Sequence, residues 1–144
     1  MKLKFKAVHS GAATPTYATD GSGCFDLRSV NHGVVKPYSK MAFSTGLAFE
    51  IPEGYAMFVF SRSGHGFNQG LRLSNCVGIV DSDYRGEVKV SLHADQNTEV
   101  RINSGDRIAQ ACLIAVPKVE FEEVYGELSS TERGANGFGS TGNG

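Results

Sequence analysis

Glu87-Val88-Lys89-Val90-Ser91-Leu92 alternates polar side chains with Val, Val and Leu. Successive side chains of a strand point to opposite faces, so this period of two predicts a strand with one face in a core and the other in water. Lys2-Leu3-Lys4-Phe5-Lys6-Ala7 repeats the pattern and is expected to be a second half-buried strand. Working outward, Cys24–Ser29, Ala42–Glu50, Tyr55–Ser61, Arg72–Val80, Arg107–Val116 and Glu120–Val124 read as further strands. Turn residues separate them at Asp20-Gly21, Asn31-His32-Gly33, Pro52-Glu53-Gly54, Asp83-Tyr84-Arg85-Gly86 and Ser104-Gly105-Asp106. No window holds a sustained helical stripe; one short helical turn at Ser61–His65 is the most that fits. Many short, evenly spaced strands predict an all-β sandwich, jelly roll or barrel.

The chain has 144 residues, 40% of them apolar, which suits one domain with a real core. Its formal charge is −1, from 14 basic and 15 acidic side chains, so no basic excess points to a nucleic-acid polymer or an acidic membrane. A small anionic ligand needs only a few local cations. Cys24, Cys76 and Cys112 are odd in number and lie far apart, which argues against a disulfide framework and structural zinc. All three are expected to be reduced thiols in or near the core. The N-terminal residues lack the apolar segment of a secretion signal, and the longest apolar runs are too short to span a bilayer. The expectation is a cytoplasmic protein without a membrane partner.

Five polar clusters interrupt the strand pattern. Asp26, inside Cys24-Phe25-Asp26-Leu27, caps a turn, pairs with a cation or serves a site. Ser61-Arg62-Ser63-Gly64-His65-Gly66 sets a guanidinium beside a hydroxyl and glycine amides, which makes either an anion-binding loop or a turn with a solvated arginine. The third cluster runs from Asn75 through Gly78-Ile79-Val80-Asp81-Ser82-Asp83-Tyr84 to Lys89 and is read as a β-hairpin. Backbone groups of a hairpin edge match the acceptor–donor–acceptor edge of uracil, whereas cytosine would set a donor against a donor. Such a mismatch, when buried, discriminates by about 10⁴-fold, against roughly 10–200-fold for rejecting a methyl by size. Asp81 is placed to orient a water or a sugar hydroxyl, and Tyr84 to lie flat on a sugar with no room for a 2′-OH. Two turn aspartates are the alternative. The fourth cluster is Gly105-Asp106-Arg107-Ile108-Ala109-Gln110, a turn pair opening a strand, where Gln110 between two alanines calls for a hydrogen-bond partner.

The fifth cluster is the C-terminal stretch 126–144, nineteen residues of which six are glycine. It has no apolar period and cannot offset its own ordering entropy, so alone it is expected to be mobile. Its Arg133-Gly-Ala-Asn-Gly-Phe138-Gly139-Ser140-Thr141-Gly142 carries a cation, an aromatic ring, two hydroxyls and unshielded amides. Those groups suit a phosphate chain plus a flat base, although a simple Gly/Ser linker has a similar composition.

Together and in this order the five blocks resemble the five motifs of the trimeric all-β dUTPase family (dUTP pyrophosphatases), over Ser22 to Gly142. The resemblance implies a distorted jelly-roll or β-sandwich subunit over residues 1–125, with 126–144 as a flexible arm closing over a neighbouring active site of a homotrimer. It implies Mg²⁺-assisted hydrolysis of dUTP to dUMP and pyrophosphate, limiting uracil in DNA and supplying dUMP for dTMP synthesis. Carried over, Asp81 orients the water that attacks the α-phosphorus. Tyr84 packs on deoxyribose, and Asn75 with the backbone of Gly78, Ile79, Val80 and Lys89 reads uracil. Arg62, Ser63, Gly64 and Gln110 hold phosphate oxygens, while Arg133, Phe138, Gly139, Ser140 and Thr141 close over the substrate. No residue is a direct metal ligand; Asp26 resembles an aspartate that meets the magnesium's waters.

The chain departs from the family pattern at Cys24-Phe25, where Gly-Tyr is common, at Ser61 and His65, and at Asn136, where glycine is usual. Two other readings share the scaffold: a dCTP deaminase-like enzyme and a non-catalytic, nucleotide-binding regulatory trimer. Deaminases of that fold carry a glutamate where Ser91 stands here. A P-loop enzyme is excluded, because no Gly-Lys-Ser/Thr opens a helix.

Overall fold

The structure is a computed structural model that describes residues 1–137. Its strands are β1 (Lys4–Ala7), β2 (Thr16–Tyr17), β3 (Phe25–Arg28), β4 (Gly33–Val35), β5 (Lys40–Glu50), β6 (Tyr55–Phe60), β7 (Leu71–Leu73), β8 (Val77–Val80), β9 (Glu87–Ala94), β10 (Val100–Ile102) and β11 (Arg107–Ala115), with α1 (Ser63–Gln69) after β6. They form a four-stranded sheet in the order β1-β5-β9-β7, a five-stranded sheet in the order β2-β3-β11-β6-β8, and the pair β10-β4. The ladders are antiparallel. Inward residues of all three sheets meet in one core, among them Phe25, Leu27, Met57 and Val59 from one sheet, Phe43, Leu47, Val90 and Leu92 from another, and Val35 and Ile102 from the pair. The all-β sandwich expected from the alternation is therefore present. In β9 the alternation is literal: Val88, Val90, Leu92 and Ala94 are buried, and the residues between them are not.

β5 carries a bulge between Ser44 and Ala48, centred on Gly46 at φ 69°. A Cβ at Gly46 would come within 2.8–3.0 Å of Ala12, His9 and Val30, so only glycine fits this left-handed, crowded position. The bulge is tied to β9: the Thr45 hydroxyl donates to the Val88 carbonyl at 2.6 Å, and the Gly46 N–H donates to Glu87 Oε1 at 2.8 Å.

Four expectations need correction. β1 is a strand, but its side chains are exposed, with Phe5 43% accessible, because it lies at the end of its sheet. Arg72–Val80 is not one strand: it breaks at Cys76, whose φ is 63°, so that β7 joins the four-stranded sheet and β8 the five-stranded one. Glu120–Val124 forms no strand; the last backbone link to the body is Val116 N–H to Gly54 O at 2.8 Å, and Pro117–Gly137 are exposed throughout. Cys76 is exposed rather than near the core.

The helix is longer than one turn, although Ser, Gly, His and Asn are poor helix formers. It buries no residue, and it ends at Gly70, which adopts the left-handed conformation. Its His65 is half-buried, and Nδ1 has no hydrogen-bond partner among the described residues. Burial and the Arg62 charge, with a smaller push from Arg107 and an opposing pull from Asp106, hold the imidazole below its ordinary pKa of 6.5.

Two outcomes follow. Phe43, fully buried in β5, contributes through packing, so Phe43→Ala lowers the unfolding free energy by about 3–5 kcal/mol in urea titrations; a loss under about 1 kcal/mol would contradict this core. For His65, the depressed folded pKa means that the unfolded chain binds the extra proton first. Stability is therefore lost as pH falls below the ordinary value. His65→Leu removes that loss, so the variant's melting temperature minus the parent's is more positive near about pH 5.5 than near about pH 7.5.

Candidate active site

The Asp81 cluster is not a hairpin. β8 pairs with β6, β9 pairs with β5 and β7, and the turn from Asp81 to Gly86 carries the chain from one sheet to the other. The two strands splay apart, because β6 and β5 compete for their edges and belong to opposite layers. Between them lies a cleft of about 740 Å³, lined by Asn75, Gly78, Ile79, Val80, Asp81, Tyr84 and Lys89 together with Lys40, Ser74, Glu87 and Ser91. That volume is in the range of small-ligand sites. β8 is the edge of its sheet, and β7 covers β9 only from Leu92 to Ala94. Gly78–Val80 and Glu87–Val90 therefore keep backbone donors and acceptors outside any ladder at the cleft.

Asp81 stands exposed where β8 ends, and its carbonyl accepts from the Tyr84 N–H at 3.2 Å to close the turn. The Tyr84 hydroxyl donates to the Glu87 carbonyl at 3.0 Å, which holds the ring across the start of β9. A Cβ on Gly86 would collide with this ring, so the glycine makes the tether possible. The Asn75 amide lies beside Gly78, whose missing side chain lets the backbone sit against Val59.

A second cavity of about 400 Å³ is lined by Ser61, Arg62, Ser63, Gly66, Phe67 and Gln110. Beside this cavity, whose lining it does not join, Asp26, with its side chain only 10% accessible, faces two guanidiniums: Arg62 Nε lies 3.5 Å from Oδ1, and Arg107 Nη1 donates to Oδ2 at 3.2 Å. Arg62 Nη1 also donates to the Arg107 carbonyl at 3.3 Å. Of the alternatives open for Asp26, the structure shows cation pairing. Gln110 sits opposite Asp26 in the β11–β3 register and donates its amide to the Ser61 carbonyl at 3.0 Å, which supplies the partner its alanine neighbours could not. Asp106 does not pair with Arg107; its carboxylate accepts from the Asn103 N–H at 2.7 Å. One carboxylate against two guanidiniums leaves this trio with a net positive charge. Gly64 opens α1 without lining either cavity.

Sequence reasoning overlooked Arg107 as a site residue. The bulge between Arg107 and Ala109 puts Arg107 and Gln110 on the same side of β11 despite their odd spacing, so a strict period of two hides the pair. Lys40 and Ser91, from β5 and β9, were also unforeseen in the cleft wall. The two cavities share no lining residue in the single chain. Arg133 lies exposed in a turn closed by Gly134 N–H to Thr131 O at 3.1 Å. Phe138, Gly139, Ser140 and Thr141 lie outside the described residues. Among the described residues no group of three or more His, Cys, Asp or Glu side chains could hold a metal ion, and no helix is long and apolar enough to cross a membrane.

The dUTPase family model matches residues 11–142. A deoxyuridine 5′-triphosphate nucleotidohydrolase of Nautilia profundicola is 46% identical over 142 residues, spanning 99% of each chain. The dUTPase of Staphylococcus bacteriophage 80alpha, solved with dUPNHPP, superposes with a TM-score of 0.89 at 26% identity, covering 99% of each chain. The dUTPase of phage phi11 of S. aureus, solved as a variant showing coordination of a structural Mg(II) ion, shares the fold with a TM-score of 0.80 at 21% identity, over 88% of this chain and 98% of its own. With its two-layered sandwich, its splayed β8–β9 cleft and its arginine-flanked loop, this chain belongs to the dUTPase family.

Proposed function

We propose that the chain hydrolyses dUTP to dUMP and pyrophosphate in the cytoplasm. One observation carries this reading: unladdered backbone groups of β8 and β9 line a nucleoside-sized cleft with Asp81 and Tyr84 at its turn. Uracil pairs with those groups and the Asn75 amide. Tyr84, tethered to the Glu87 carbonyl, covers the deoxyribose face and leaves no room for a 2′-hydroxyl. Asp81 orients the water that attacks the α-phosphorus, a weak-base contribution of about 10²–10⁴-fold. Most of the remaining acceleration comes from in-line positioning and charge neutralisation around the triphosphate.

Arg62, Ser63, Gly64 and Gln110 take the phosphate chain, with Asp26 aiming Arg62. Mg²⁺, when bound to the triphosphate, neutralises phosphate charge and holds the oxygens in one geometry. The residues present fit such an ion, which keeps several waters and needs no protein cage. Asp26 would meet it only through water, because both its oxygens already face arginines.

Phosphate and base subsites lie in separate cavities of one chain, and a homotrimer would join them across subunits. The outward face of the five-stranded sheet is apolar, with Phe58 and Phe60 stacked and Val77, Ile79 and Ile114 exposed. Val119, Phe121, Val124, Tyr125 and Leu128 are exposed as well. Contiguous apolar surface of this kind marks association. Residues 126–144, with Arg133, Phe138, Gly139, Ser140 and Thr141, act as an arm over a neighbouring site.

Pyrophosphate release assayed side by side with dUTP, dTTP, dCTP and UTP is expected only with dUTP and to depend on Mg²⁺. Ammonia from dCTP would favour the deaminase reading, and binding without release the regulatory one; Ser91 in the cleft wall, in place of a carboxylate, favours neither. Asp81→Asn loses about 10²–10⁴-fold in turnover while its affinity for the dUTP analogue stays within a few-fold; near-normal turnover would remove Asp81 from its role. A chain ending at Glu132 keeps the parent's oligomeric mass by light scattering yet loses most turnover, and full activity would refute the arm.

A further inference from the structure

Cys24 and Cys112 come together on the outward face of the five-stranded sheet, where Cys112 lies opposite Phe58 at the border of the apolar area assigned above to subunit association. The β3–β11 ladder pairs Asp26 with Gln110 and ends at Phe25 with Ala111; Cys24 lies in the bend just before β3, and continuing the same register by one residue brings it opposite Cys112. Phe25 and Ala111 point into the core, so Cys24 and Cys112 share the other face with Asp26 and Gln110. Both thiols are free and half-buried. Directly opposed residues of an antiparallel pair hold their Cα atoms about 4.5 or 5.5 Å apart, inside the roughly 4.4–6.8 Å that a disulfide spans. Burial, and then the neighbouring Cys112 thiol, push the Cys24 thiol up in pKa. Neither thiol has a part in the proposed hydrolysis.

We propose that Cys24 and Cys112 are a modification site: a dithiol pair that peroxide oxidises to a reversible cross-strand disulfide, stapling β3 to β11 next to Asp26 and Gln110. In the first step one thiolate attacks hydrogen peroxide, the O–O bond breaks, and a sulfenic acid forms as hydroxide leaves. In the second the other thiolate attacks that sulfur, the S–O bond breaks, and the S–S bond forms. Two thiols are oxidised, and one peroxide is reduced to two waters. The raised Cys24 pKa slows this chemistry at neutral pH, so the pair rests as thiols in a reducing compartment. The link would close a long loop of chain, which restricts the unfolded state more than a short one.

The test uses the full-length protein carrying Cys76→Ser, so that the exposed third thiol cannot react. Treatment with hydrogen peroxide is expected to remove both remaining free thiols and to lower the chain mass by two hydrogens. One linked peptide pair should contain Cys24 and Cys112, and dithiothreitol should restore the thiols. The oxidised form should melt several degrees above the reduced one, a rise absent from Cys24→Ala and Cys112→Ala. On the reduced protein, dibromobimane should give the fluorescent product that requires two adjacent thiols. Retention of both thiols, a sulfinic acid on one cysteine, or a disulfide between chains would each overturn the proposal. So would failure of dibromobimane to bridge the pair.

Discussion

A strand that leaves its ladder gives up hydrogen-bond partners that the interior cannot replace. The chain does this twice in succession, at Cys76 and between Asp81 and Gly86, crossing each time between the two main sheets. The groups freed in this way line the β8–β9 cleft. They are rigidly aimed because the strands that carry them are held from the far side: β8 by β6, and β9 by β5 with its Gly46 bulge. The cleft wall is thus a product of sheet geometry, with Asn75 and Tyr84 among its lining side chains.

The arginine-flanked loop follows a different logic. Asp26 is nearly buried, and a buried carboxylate requires compensation. Arg62 and Arg107 provide it, and in doing so both guanidiniums are fixed in place. A preorganised cation loses less freedom on meeting an anion than a solvated one, because its rotamer is already chosen. Gln110 extends the arrangement by fastening β11 to the Ser61 carbonyl at the base of the loop.

Strand existence was legible wherever alternation ran for several residues, as in Glu87–Ala94, because a half-buried sheet imposes that period directly. The two- and three-residue strands β2, β4 and β10 carried too little pattern to be seen. Layer assignment was hidden too: nothing in Gly78-Ile79-Val80-Asp81 states which neighbour takes its edge, so two consecutive strands read as a hairpin although they face each other across a cleft. Glu120–Val124 has strand composition and no partner within the chain, since alternation reports what a segment buries and not against whom. Of the polar residues gathered at the two cavities, residue chemistry singled out Arg62, Asp81, Tyr84 and Gln110, while Arg107 beside Asp26 was masked by a bulge that shifts its phase.

If copies of the chain meet over the exposed side chains from Val119 to Leu128, catalysis becomes tied to mass action. If residues from more than one copy complete each active centre, dilution separates the subunits and lowers specific activity even though every sandwich stays folded. Apparent heat resistance would then climb with protein concentration, and rate would follow a power of concentration greater than one in dilute samples. The same greasy stripe, left without its neighbour on a newly made chain, would be the segment most exposed to chaperones and proteases before the copies meet.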